Sequence, residues 1–574
     1  MDSTQLSSRH TYLELNLNNQ AIQERIRSVR QRPFLETFRV IERAALDKRI
    51  TGIILNMSGF SADREYLWEL RSALKEFRSR GKKICAFISA ADLDMYCLAS
   101  VADKIVMDEQ GVLSLTGYVW GRSYVRHTLE KIGIGVRELR YLEYKSASEM
   151  FTRDSISDAD RRQYGEWLDG IYAVTRDTLL EARSWTAEEF DSIINKEFLY
   201  SAKSALERKL VDRVGREEAV TETLKEMEGG EVKSFVYYGE NDCGLTGSEA
   251  AYGPGRAGGL FSRPPVVAVV YANGQTDMER GMAARSLART IRKLAAQKRI
   301  KAVVVRINSP GGSAEAADYV AEAIKHVKEK IPVVVSMGSV AASGGYWAAM
   351  YANHITASPY TLTGSIGVIG SWFYDKGLND KLGFTVDTLQ RGDHADMVSG
   401  FILPRRDINA VEEERYRKLL MDMYADFTAK AAAGRNMDVE KVEAAAQGRV
   451  FSGTDALNAG LIDSIGGLAD AIRVARNLAG IPESGKVKYR EYPKPKFFDK
   501  VLSHLPLSSV FGRIMGGGAA GFAAAPENLR RQMPSYSALL TDILLGESIL
   551  ADIRYRVSHN GEVMPVLPVD CGGL

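Results

Sequence analysis

Cysteine and histidine are both scarce in this 574-residue chain, which has four of the first and seven of the second. Cys85, Cys97, Cys243 and Cys571 have neither metal-ligand spacing nor the density of a disulfide framework, so a structural zinc site and a stapled secreted scaffold are both excluded. Long apolar runs are missing too: a spanning helix needs roughly 18–20 such residues, whereas Pro265–Ala272 and Ile331–Val335 are of strand length. Charge of one sign is absent, with 75 basic against 73 acidic residues. Nothing therefore favours a polyanion held by bulk electrostatics, and nucleic acid is not an expected partner. The opening Met1-Asp2-Ser3-Thr4-Gln5 is not the basic start and apolar stretch of a signal peptide, so a soluble or peripherally membrane-bound protein is expected.

Hydrophobic residues make up 45% of the chain and charged residues 26%, as in soluble globular proteins. The length suits two domains. An internal repeat supplies them. Tyr96-Cys97-Leu98-Ala99-Ser100-Val101-Ala102 aligns with Tyr346-Trp347-Ala348-Ala349-Met350-Tyr351-Ala352 at an offset of 250 residues. At that offset Gly52–Leu55 falls on Ala302–Val305, and Gly133 on Gly383. Each copy reads as apolar strands alternating with helical patterns: 52–55, 65–80, 83–88 and a helix near Asp94 in the first, and 265–270, 285–297, 302–307, 315–330 and 333–336 in the second. This is the signature of βα units and parallel pairing, an α/β fold. Long helices are expected over 158–181 and 409–433.

The repeats differ where chemistry is possible. Ser343, in Ala341-Ala342-Ser343-Gly344-Gly345, has Leu93 opposite it in the first copy, whereas Lys145, in Tyr144-Lys145-Ser146-Ala147, has Ala395 opposite it in the second. A serine survives in one repeat and a lysine in the other, as expected of a duplicated hydrolase that assembles one Ser–Lys pair from two copies. Ser343 follows a short strand and the turn-like Met337-Gly338-Ser339 and precedes a helical run, where unpaired N–H groups favour developing negative charge; alternatively it is a plain N-cap. Asn308-Ser309-Pro310-Gly311-Gly312-Ser313, at a strand-to-helix junction, can turn N–H groups toward one point as an oxyanion hole. It lacks the Gly-Lys-Ser/Thr ending of a phosphate loop. Among bases, the scattered histidines leave a Ser-His-Asp triad open. A lysine serves if burial lowers its pKa, and Lys145, among Tyr144, Ala147, Met150 and Phe151, is a candidate.

Ser309-Pro310-Gly311-Gly312-Ser313, Ala341-Ala342-Ser343-Gly344-Gly345-Tyr346-Trp347, Thr361-Leu362-Thr363-Gly364-Ser365-Ile366-Gly367-Val368 and Tyr144-Lys145-Ser146-Ala147, in this order and spacing, resemble the long, duplicated signal peptide peptidase A (protease IV) family. The resemblance runs from about residue 40 to 480. It implies two tandem crotonase-like domains, each a spiral of ββα units of the Clp-protease/crotonase type. It also implies a serine protease with Ser343 as nucleophile, Lys145 as general base and Ser365 as the serine that orients the lysine. The oxyanion donors would be the N–H of Gly344 and that of Gly311 or Gly312. Peptides are the implied partners, short hydrophobic segments such as cleaved signal peptides among them, with no metal or organic cofactor. A homo-oligomer, a tetramer in the family, and association with a membrane are implied as well.

The resulting domain plan is an arm over 1–30, a lysine-bearing repeat over 31–228, a linker over 229–264, a serine-bearing repeat over 265–482 and an extension over 483–574. Two other readings fit parts of the pattern: an acyl-CoA enzyme on the same fold, and an inactive scaffold ring. Within the extension, Val563–Val569 could dock as an added strand in a substrate groove.

Overall fold

The computed structural model describes residues 10–17, 34–236, 264–400, 402–482 and 485–493. Val563–Val569, Cys243, Cys571 and most of the expected arm, linker and extension lie outside the described residues.

Branched aliphatic residues run almost without polar interruption through the expected strands of the second repeat, as they do in strands covered on both faces. The first half contains strands β1 (Thr11–Asn16), β2 (Gly52–Asn56), β3 (Lys83–Asp92), β4 (Lys104–Ser114), β5 (Ile134–Leu139), β6 (Leu199–Ser201), β7 (Arg213–Val214) and β8 (Lys233–Val236). The second half contains β9 (Val266–Asn273), β10 (Ile300–Ser309), β11 (Val333–Ala342), β12 (His354–Ala357), β13 (Leu362–Gly364), β14 (Gly370–Asp375), β15 (Val450–Phe451), β16 (Ser464–Ile465) and β17 (Lys488–Tyr492). One sheet runs β6-β4-β3-β2-β1-β8 with β7 beside β4, and the other runs β15-β13-β11-β10-β9-β17 with β12 and β16 alongside. The central pairings are parallel.

The duplication is geometric as well as textual. β3 pairs Ala90 with Val112 and Asp92 with Ser114 after a register break against β4, and β11, which pairs with β12 up to Ser336, then pairs Val340 with Leu362 and Ala342 with Gly364 of β13. Both strands then enter a short helix, Leu93–Ala99 or Gly344–Ala349. Three elements go beyond the expected plan: β1 lies within the arm, β8 within the linker, and β17, which extends the second sheet beside β9, within the extension. Met337-Gly338-Ser339 is part of β11 rather than a turn.

Alternation explains how the two repeats share a core. Val267, Val269, Ala302, Val304 and Val334 face a cluster containing Phe34, Phe38, Leu70 and Leu74 of the first repeat, while Val266, Val270, Val303, Val305 and Val335 face the helices of the second. Inside that seam Arg306 is fully buried and reaches Glu69 at 2.7 Å and Glu65 from helix Arg64–Ser79. Buried charges persist only when paired in this way.

One further pairing carries the first repeat onto the second. β5 runs antiparallel to β14, with Leu139 opposite Gly370 and Ile134 opposite Asp375. The chain leaving Leu139 is thereby delivered to the end of the second sheet, six residues before Lys145.

Candidate active site

β11 stops at Ala342 because Ser343 turns sharply, with φ 55° and ψ −116°, into helix Gly344–Ala349. Such a backbone is strained for a residue with a side chain, and strain of this kind gathers where a side chain must be aimed. Ser343 occupies the N-cap position, yet its hydroxyl makes no capping bond. Its N–H donates to Gly364 O at 2.8 Å instead, which ties the turn to β13. The hydroxyl faces Lys145.

Lys145 Nζ lies 2.7 Å from Ser343 Oγ, 2.8 Å from Ser365 O and 2.9 Å from Ser365 Oγ. Lys145 and Ser365 are each 1% exposed and Ser343 is fully buried. Burial pushes the Lys145 amine well below its ordinary value, because an ammonium loses its hydration there. A neutral amine offers one lone pair and two N–H groups. The carbonyl of Ser365 can only accept, so it takes one N–H; if Ser365 Oγ takes the other, the lone pair is left to receive the proton of Ser343.

The lysine is held from beneath by a segment of the second repeat. Tyr144 N donates to Gln447 O at 2.9 Å, and Ser365 N donates to Arg449 O at 2.7 Å. Gly448, between them, has φ 83°, and a Cβ there would sit 2.6 Å from Lys145 Cβ. This strap over 447–450 is absent from the sequence-based expectations. Its signal was slight: one glycine ahead of a short apolar pair. The same holds for Arg122, Asp160 and Gln163, which pack against the lysine loop from the first repeat.

The glycine turn after β10 separates its two candidates. Gly311 N–H donates to Ser309 Oγ at 3.3 Å and its carbonyl accepts from Thr276 N at 2.8 Å. Ser313 N donates to Thr276 O. Gly312, at φ 151°, lies between these bonds with its own N–H turned from Thr276, and the site of a Cβ on Gly344 is 3.3 Å from Gly312 N. Gly344 opens its helix, where the first N–H groups have no intrahelical acceptor.

Two of the histidines have other partners: His354 bonds Ser464 Oγ at 2.8 Å and His326 lies beside Lys330 Nζ. No histidine is among the hydrogen-bond partners found for Ser343. Among the described residues, no group of three or more His, Cys, Asp and Glu could hold a metal ion, and no helix is long and apolar enough to cross a membrane.

The α/β repeats and the site at their seam define a serine peptidase of the Clp-protease fold class, and the family model for Clp protease matches residues 271–356. The model for peptidase family S49 matches twice, over residues 76–231 and 325–482. Serine protease SPPA, chloroplastic, of Arabidopsis thaliana is 34% identical over 462 residues, covering 79% of this chain and 67% of that protein. Protease 4 of Salmonella typhi is 31% identical over 494 residues, covering 81% and 75%. The chain belongs to peptidase family S49 and is a serine endopeptidase. Among solved structures, a ClpP1 variant from Listeria monocytogenes aligns at 17% identity over 36% of this chain and 94% of its own, with a TM-score of 0.25. Family membership sets aside the acyl-CoA and scaffold readings.

Proposed function

We propose that Ser343 and Lys145 form the catalytic dyad of this peptidase. Neutral Lys145 takes the Ser343 proton as Oγ attacks the peptide carbonyl, and the oxyanion is held by the N–H groups of Gly344 and Gly312. The lysine then returns the proton to the leaving amine, and the same base activates the water that releases the acyl group. Ser365 orients the amine. The observation that carries this reading is the 2.7 Å contact between a buried hydroxyl and a buried amine. Gly312 is preferred to Gly311 as a donor because the Gly311 N–H is already engaged by Ser309.

Labelling with a fluorophosphonate, located by mass spectrometry, tests it. Wild type is expected to be modified at Ser343 and folded Lys145→Ala to lose the label; labelling that survives in the variant would point to another base.

The proposed substrates are short hydrophobic peptides such as cleaved signal peptides. Support comes from membership of peptidase family S49 and the resemblance to signal peptide peptidase A. The domain plan above is retained as a proposal, with β1 and β8 added to the first repeat and β17 to the second, following their strand pairing. A second copy of the chain is the proposed partner. β5 is covered by β14, but its counterpart in the second repeat, around 384–389, is open, with Phe384 40% and Leu389 99% exposed; Val119, beside the counterpart of β14, is 82% exposed. The family resemblance extends this proposal to a tetramer and to peripheral membrane association.

A further inference from the structure

Helix Asp158–Arg183 begins beside the lysine loop, and its first two turns present a buried polar face to it. Gln163 is 1% exposed and Asp160 is fully buried. The Gln163 amide nitrogen donates to Tyr144 O at 3.0 Å and to Asp160 Oδ1 at 2.6 Å, while its carbonyl oxygen accepts from Val450 N at 3.1 Å. Asp160 in turn accepts from Ser146 Oγ and contacts Arg122 Nη2 at 3.0 Å. Arg122 Nη1 donates to Ser146 O at 3.0 Å. The carbonyls of Tyr144 and Ser146, the residues before and after Lys145, are therefore both gripped, one by Gln163 and one by Arg122.

Gln163 does more than hold the loop. Val450 follows Arg449, whose carbonyl accepts the N–H of Ser365, and pairs through β15 with Gly364. One side chain thus joins the lysine loop of the first repeat to β15 of the second, which pairs with β13, the strand that leads into Ser365 and whose Gly364 carbonyl accepts from Ser343 N. Other charged groups nearby are already matched: Glu149 with Arg140, and Arg449 with Glu166.

We propose that Gln163, backed by Asp160 and Arg122, is a positioning residue that sets the height of Lys145 against Ser343. The proposal rests on the dyad reading above. A base displaced by about 1 Å loses on the order of 100-fold in rate, and two carbonyls, one tied to the helix by Gln163 and the other through Arg122 and Asp160, are what prevent that displacement. Loosening them also admits water to the amine, which lets it return toward its ordinary basicity.

The test measures the second-order rate of fluorophosphonate labelling, per mole of folded protein, from about pH 6 to about pH 11. Wild type, Lys145→Ala, Gln163→Ala and the near-isosteric Gln163→Glu are compared. Gln163→Glu keeps an acceptor for Val450 N and loses the donor to Tyr144. Both Gln163 variants are expected to label about 10–100-fold more slowly, with the acid limb of the profile shifted upward by about one unit. A purely structural role would lower the folded fraction but leave rate and limb unchanged, and that result overturns the proposal. Loss of fold in both variants would assign Gln163 to stability alone and overturn it too. Failure of the dyad reading is seen separately, as labelling of Lys145→Ala that equals wild type.

Discussion

Replacing Lys145 by methionine keeps the length of the side chain and removes the proton it can bind. The folded-state pKa lies below the ordinary lysine value of about 10.4, so between the two the unfolded chain holds more protons and wild-type stability rises with pH. Lys145→Met is therefore expected to melt higher than wild type at neutral pH. The gap should narrow as the pH climbs toward 10.4, roughly the unfolded value, in thermal unfolding at several pH values; a constant gap would argue against a neutral lysine. Ser365→Ala leaves one amine N–H facing a buried void. An unsatisfied group of this kind costs about 1–3 kcal/mol, so turnover of a fluorogenic peptide should fall roughly 10–100-fold, with labelling of Ser343 slowed alongside it.

At the scale of elements, the strap over 447–450 and the β5–β14 pair fix where the lysine arrives. Gly448→Ala places a Cβ against the backbone of Lys145 and forces a left-handed conformation, a strain of about 1–3 kcal/mol. Labelling by the fluorophosphonate is expected to slow at least tenfold with the fold retained by circular dichroism; an unchanged rate would show that the strap does not set the lysine's position. The strands that support Ser343 were legible in the sequence because residues such as Val303–Val305 and Val333–Val335 are buried on both faces and leave an unbroken apolar run. The hidden parts are those whose role depends on distant partners. Gln163 reads as one more polar residue on a charged helix until Tyr144 and Val450 are seen at either end of its amide, and β1 was hidden because Glu14 and Asn16 interrupt its apolar pattern.

For the molecule as a whole, the duplication was the most legible feature: the offset of Tyr96 from Tyr346 reappears as matched strand registers in the two sheets. Ser343 and Lys145 stood out because each lacks a counterpart, Leu93 and Ala395 occupying the other copies. The open counterpart of β5 in the second repeat yields a prediction about assembly. Leu389→Asp, at a side chain 99% exposed, is expected to shift the protein toward monomer in light scattering after size exclusion, with little change in melting temperature; an unaltered mass would remove that surface from the interface. The division of the dyad between repeats also bears on biosynthesis. On the proposed roles, the lysine-bearing half is made first, without Ser343, and the serine-bearing half that follows it lacks Lys145. If Ser343 and Lys145 act as proposed, proteolytic capacity is withheld during translation until both repeats have been made and have closed on one another.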